Sequence, residues 1–170
     1  GGYSNNATLN RTMGAGFDLL GGSSYCWKMI HSVGHHVSTN VIELDPDIHT
    51  QEPHFRRIKP TQKQWFWYKY QHIYLPFLYS TLLLEMFVRD FVAMIGGKWG
   101  GVKFQPISKQ EWIIFFSCKA LFLLYAFIFP TYYFHDGNWT KVCYLTWVTL
   151  SVASVLLVLI FQVNHVTDIT

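Results

Sequence analysis

The chain has 170 residues, 51% of them hydrophobic and 18% aromatic, with only 14% charged and a formal net charge of +3. A soluble domain usually carries about 25% charged residues, so this composition argues against an ordinary soluble fold. So mild a positive balance gives no reason to invoke nucleic acid. The shortage of charge is also uneven: roughly the first 60 residues look ordinary and the last 60 are hardly polar, the pattern of a membrane protein with a sizeable aqueous portion. Cys26, Cys118 and Cys143 are widely spaced, odd in number and free of any CxxC pair, which predicts reduced packing thiols.

Residues 1–22 are rich in Gly, Asn, Ser and Thr. From Ser23 to Ser38 the pattern predicts a helix that carries His31, His35 and His36 in an H-x-x-x-H-H cluster. On an α-helix His31 and His35 share a face, and His36 lies about 100° round from His35. Neutral imidazoles so grouped can grip iron or zinc. A single His on an apolar face is usually a satisfied core residue, but three within six residues seldom are. Gly34, inside the same segment, weakens a helix or lets another group approach closely.

Residues 41–64 are polar and broken by Asp45-Pro46-Asp47, Glu52-Pro53 and Lys59-Pro60. Asp45 and Asp47 are in principle oxygen ligands or hydrogen-bond acceptors for ligand histidines. Their proline makes a simple turn an equal alternative. His49 and His54 read as surface residues, and His72 as interfacial.

Three apolar stretches follow. The first, 73–88, is only sixteen residues long and contains Pro76 and Glu85, behind the aromatic run Trp65-Phe66-Trp67-Tyr68. It reads as an interfacial or re-entrant helix with an aromatic girdle. The stretches 112–134 and 143–162 reach the roughly 20 residues that a transmembrane helix needs. Between the first and second, Gly96-Gly97-Lys98-Trp99-Gly100-Gly101 reads as a flexible connector, since no strand or Lys-Ser/Thr pair makes it a phosphate loop. Lys119 is expected to snorkel out of the second stretch.

Eleven of the thirteen Lys and Arg residues precede residue 112. The positive-inside rule then puts residues 1–111 in the cytosol and His135-Asp136-Gly137-Asn138 on the far side. Asn138-Trp139-Thr140 is a glycosylation sequon on that far side; those at Asn6 and Asn10 are expected to be silent. His165, where the last apolar stretch ends, is a functional candidate by its position at a helix mouth. Two crossings return the chain to its starting side, so His165 can join His31, His35 and His36 only if the 73–88 stretch does not span. Gln162 and Asn164 are polar companions placed to orient its ring.

The block from Gly21-Gly22-Ser23-Ser24 through His31-Ser32-Val33-Gly34-His35-His36 to Thr39-Asn40 and Asp45-Pro46-Asp47 resembles membrane fatty acid desaturases, most of all the front-end acyl desaturases. The likeness continues to Phe161-Gln162-Val163-Asn164-His165. It implies a mainly α, integral membrane fold: two transmembrane helices in a hairpin, an interfacial helix and a cytosolic histidine-bearing region over 1–72, with 163–170 opening the next cytosolic segment. It implies two iron ions, with His31, His35 and His36 as the family's second histidine box and His165 as a further ligand. No upstream H-x-x-x-H box and no downstream H/Q-x-x-H-H box occur, so the segment is expected to be the middle of a longer enzyme and inactive alone.

The implied reaction uses reduced di-iron and dioxygen to place a cis double bond in an acyl-lipid or acyl-CoA chain. Electrons would come from a cytochrome b5-type or ferredoxin donor, in the endoplasmic reticulum or else a plastid or bacterial membrane. A sphingolipid desaturase or acyl hydroxylase on the same scaffold is the neighbouring reading. A non-catalytic metal-binding membrane protein or transporter is the rival from another class, disfavoured because Lys119 is the only charge within the two long stretches.

Overall fold

A computed structural model describes residues 4–39, 41, 44–46, 56–57, 60 and 62–165, with side chains through Ile160. Its elements are α1 (Ala7–Leu19), α2 (Ser24–Trp27), a π-helix (Lys28–His35), a 3-10 helix (Phe66–Tyr70), α3 (Gln71–Ser80) and α4 (Leu82–Gly96). After these come strands β1 (Lys98–Trp99) and β2 (Val102–Lys103), then α5 (Lys109–Leu123), a π-turn (Leu124–Ile128), α6 (Phe129–Phe134) and α7 (Trp139–His165). The fold is mainly helical, as expected.

Two helical runs, Lys109–Phe134 and Trp139–Ile160, are long and apolar enough to cross a membrane. Only 17% and 11% of their apolar windows are buried, whereas the core helix of a soluble protein would be mostly covered. A turn through Asp136 and Gly137, both at positive φ, joins them. Asn138 then caps α7 by accepting the Lys141 amide at 3.0 Å, so the sequon asparagine is already engaged.

The π-turn before α6 follows from Pro130. A proline inside a helix lacks an N–H and its ring crowds the carbonyl four residues back, here that of Ala126. The widened turn relieves the crowding, and Thr146 Oγ1 of α7 donates to the Ala126 carbonyl at 2.9 Å. In an apolar setting such a freed backbone group must find a partner inside the protein.

The stretch 73–88 does not form one helix. It divides at Thr81, where the Ser80 and Thr81 hydroxyls donate to the carbonyls of Phe77 and Leu78, both at 2.7 Å, and compete with continued helix. The new N-terminus of α4 leaves unpaired amides. One of them, Leu83 N, donates to the fully buried Ser154 Oγ of α7 at 3.0 Å. Along α4 the residues Leu84, Val88, Val92 and Ile95 point outward, while Met86, Asp90, Ala93 and Met94 face the core.

That core is where the histidine-bearing segment meets the long helices. Cys26 and Ile30, one turn apart, pack with Ala93 and Met94 of α4 and Phe115 of α5. All three cysteines are free, and burial pushes the Cys26 thiol up to about 12, so it serves as an inert packing group.

Lys119 departs from expectation. It is 2% exposed and does not snorkel. Its ammonium donates to Asp90 Oδ2 of α4 at 2.9 Å and to the Gly21 carbonyl at 2.6 Å, among the rings of Phe87, Phe91 and Phe115. A counter-ion was available 29 residues earlier, which removes the reason to reach for water. Breaking one side of a buried ion pair costs about 3–5 kcal/mol, whereas apolar replacement of both is often neutral. Lys119→Met should therefore destabilise the protein by about that amount, and Lys119→Met with Asp90→Leu should recover most of it. Unfolding in detergent micelles reads both; equal losses would contradict the pairing.

Candidate metal centre

His31 and His35 sit on the π-helix, with His36 as its C-cap, rather than on the α-helix expected over 23–38. The His36 amide donates to the His31 carbonyl at 3.0 Å, a bond that spans five residues instead of four. Each residue of such a helix turns through less than the α-helical 100° or so, which places positions i+4 and i+5 on either side of position i. His35 and His36 consequently flank His31 instead of diverging. Ring centroids lie 5.0 Å apart for His31 and His35, 4.7 Å for His31 and His36, and 5.4 Å for His35 and His36.

The rings are held from several sides. Trp27 stacks on His31 with centroids 4.3 Å apart. His31 and His35 are buried at 8% and 3% exposure, while His36 is exposed. Thr39 Oγ1 donates to the His35 carbonyl at 2.9 Å and closes the last turn.

Asp45, which the sequence left open between ligand, acceptor and turn residue, is fully buried. Both of its carboxylate oxygens lie 2.9 Å from His35 Nδ1. A carboxylate only accepts, so Nδ1 carries a proton; in the neutral ring the lone pair is then on Nε2, the tautomer of a metal-binding imidazole oriented from behind. Asp47 lies outside the described residues, as do His49 and His54. His72 is exposed on α3, and His135 caps the end of α6.

Gly34 permits the close approach that the sequence allowed for. A Cβ there would lie 2.7 Å from both Pro46 Cγ and Val102 Cγ2. Nor is the Gly96–Gly101 segment a flexible connector: it folds as a hairpin in which β1 pairs antiparallel with β2. Gly100 and Gly101 form the two-residue turn at φ +53° and +82°, the conformation that tight hairpins demand of glycine. Neither Asp90 nor the hairpin was singled out by sequence. A Gly-Gly pair between Trp99 and Val102 was the available signal.

His165 closes α7; its side chain and those of Gln162 and Asn164 lie outside the described residues. Among the described residues, no group of three or more His, Cys, Asp or Glu side chains is placed to hold a metal ion by itself. The donor chemistry still fits part of a larger ligand set: three grouped imidazoles, one with its tautomer fixed by a buried carboxylate.

Against known families, the model for fatty acid desaturases matches residues 1–169. The chain belongs to the fatty acid desaturase family. It is 43% identical over 163 residues to an acyl-lipid (8-3)-desaturase of Physcomitrium patens, covering 92% of this chain and 32% of that one. To the acyl-lipid (8-3)-desaturase of Mortierella alpina it is 37% identical over 165 residues, 96% of this chain and 36% of the relative. To the sn-1 linoleoyl-lipid 6-desaturase of Synechocystis it is 31% identical over 129 residues, 75% of this chain and 35% of the relative. The chain thus spans about a third of the length of these curated relatives. No solved structure matches it.

Removing the carboxylate behind a metal-binding His typically costs about 10–100-fold in metal affinity or activity. On the reading that these rings ligate a metal in the complete protein, Asp45→Ala should lower its divalent-metal affinity by about that range while leaving helical content intact. Competition with a chelator, followed alongside circular dichroism, checks it; unchanged affinity would remove Asp45 from the site.

Proposed function

We propose that these 170 residues are the central part of a di-iron, dioxygen-dependent fatty acyl desaturase that introduces a cis double bond into an acyl chain. The observation that carries the reading is the His31–His35–His36 group with Asp45 behind His35, in a chain of the fatty acid desaturase family. His31, His35 and His36 would supply ligands through ring nitrogens, and His165 a further one from the end of α7, with Gln162 and Asn164 beside it. The remaining ligands come from parts of the enzyme outside these residues. Relatives named as acyl-lipid desaturases favour an acyl chain carried on a lipid as substrate.

Bound iron would supply the oxidising chemistry: one dioxygen, two donor electrons and two protons from the medium, together with two hydrogens from neighbouring methylene carbons, give the double bond and two waters. The chain's own residues do the positioning. Asp45 accepts the Nδ1 proton of His35 and keeps Nε2 free for metal. Trp27 fixes the plane of His31 by stacking. Burial of His31 and His35 limits water at the site, which favours chemistry on the acyl chain over side reactions.

The same arrangement supports a placement in the membrane. α5 through α6 and α7 would cross as a hairpin. α3 and α4 would lie along the cytosolic interface, with the outward stripe Leu84, Val88, Val92 and Ile95 in lipid and the aromatic 3-10 helix at headgroup level. The excess of Lys and Arg before α5 supports a cytosolic histidine cluster, within reach of a cytochrome b5-type or ferredoxin donor, in an endoplasmic reticulum membrane.

Single Ala substitutions of His31, His35, His36 and His165 in the complete enzyme test the ligand set. Each should lower iron per polypeptide and abolish the unsaturated product, measured by metal analysis and by gas chromatography of acyl methyl esters. A His165→Ala enzyme that keeps both would remove His165 from the site.

A further inference from the structure

Asp45 can orient His35 only if the backbone that carries it is itself fixed. Proline at position 46 confines the preceding residue to extended backbone and so narrows the conformations open to Asp45. The Asp45 amide is tied to the Val41 carbonyl at 2.8 Å. The larger constraint is steric. Pro46 is buried between two glycines that are far apart in sequence. On one side its Cγ and Cδ press on Gly34, between His31 and His35 on the π-helix. On the other its Cα and Cβ press on Gly100, at the tip of the hairpin between α4 and α5. A Cβ at Gly100 would lie 2.7 Å from Pro46 Cβ and 3.2 Å from its backbone Cα, contacts that a side-chain rotation cannot relieve.

The glycines of this hairpin are not equivalent. Gly97, Gly100 and Gly101 all have positive φ, at +62°, +53° and +82°. A Cβ at Gly97 or Gly101 meets nothing within 4 Å. Positive φ explains glycine at all three; only at Gly100 does a neighbour also forbid a side chain. The three atoms nearest such a Cβ, at 2.7, 3.2 and 3.7 Å, all belong to Pro46.

We infer that the β1–β2 hairpin is a positioning device for the metal site: Gly100 and Gly34 clamp Pro46, and the clamped Pro46 seats Asp45 against His35 Nδ1. The inference rests on the metal reading above and adds Gly34, Pro46 and Gly100 as residues that act through Asp45 without touching metal or substrate. It also gives the connection between α4 and α5 a task at the histidine cluster, since Val102 of β2 presses on Gly34 beside Pro46.

The test compares Gly100→Ala with Gly97→Ala in the complete enzyme, because both place a methyl group at a similar positive φ and only the first meets Pro46. Iron retained per polypeptide after graded chelator challenge and the thermal unfolding midpoint are measured together. Gly100→Ala should lose iron at about 10-fold lower chelator concentration than Gly97→Ala, in line with loss of a histidine's supporting carboxylate, with similar midpoints for the two. Equal iron retention in both would overturn the clamp. Should Gly100→Ala not fold, Pro46→Ala, which deletes only the ring atoms lying on Gly34, should still release iron more readily than Gly97→Ala; retention equal to Gly97→Ala would again overturn it. His35→Ala separates the two levels. If it holds iron as well as the unaltered enzyme, the metal reading itself is wrong; if it loses iron while Gly100→Ala matches Gly97→Ala, only the clamp is wrong.

Discussion

A lysine near the middle of an apolar helix has to be neutralised within the protein, and Lys119 meets that demand by joining three parts of the chain at one point. Its ammonium holds Asp90 of α4 and the carbonyl of Gly21, the residue that leads into α2 and the histidine-bearing π-helix. A desolvated charge tolerates little displacement, because moving either partner leaves the other buried and alone. α4, the first long apolar helix and the start of the histidine segment are thereby fixed relative to one another. Cys26 and Ile30 then complete the join by apolar packing on Ala93, Met94 and Phe115.

From that anchored base the histidine cluster is built outward by contacts of increasing specificity. The π-helical winding brings His35 and His36 to either side of His31. Trp27 sets the plane of one ring, and Asp45 sets the proton of another. Each step narrows what the imidazoles can do, from three rings on one surface to three donors of which one has a fixed tautomer. A widened helical turn recurs in the first long apolar run, where Pro130 demands one and Thr146 of α7 satisfies the carbonyl it frees. In both places a local departure from α-geometry is stabilised by a partner from another element.

The features legible in the sequence were those written in local pattern. Two long apolar runs, the H-x-x-x-H-H spacing and its Gly-Gly-Ser-Ser and Thr-Asn flanks were enough for the helical class and for the family resemblance. What escaped was set by distance along the chain. Lys119 looked unpaired because its counter-ion lies 29 residues away. Asp45 stays open in the sequence between ligand, acceptor and turn residue because its partner lies on a helix 10 residues earlier. The hairpin was hidden because strands of two residues each carry no alternation. The division of 73–88 turned on the Ser80 and Thr81 hydroxyls, whose competition with helix is weak until tertiary contacts, here Ser154 on Leu83, settle it.

The central claim is that His31, His35 and His36 ligate iron, with Asp45 supporting His35 from behind. Anomalous scattering at the iron edge from crystals of the complete enzyme tests it most directly. Iron is expected at bonding distance from His35 Nε2, with the rings of His31 and His36 also bonded to iron, and Asp45 on Nδ1 outside the coordination sphere. A peak remote from these three rings, or one bonded to Asp45 in place of His35, would contradict it.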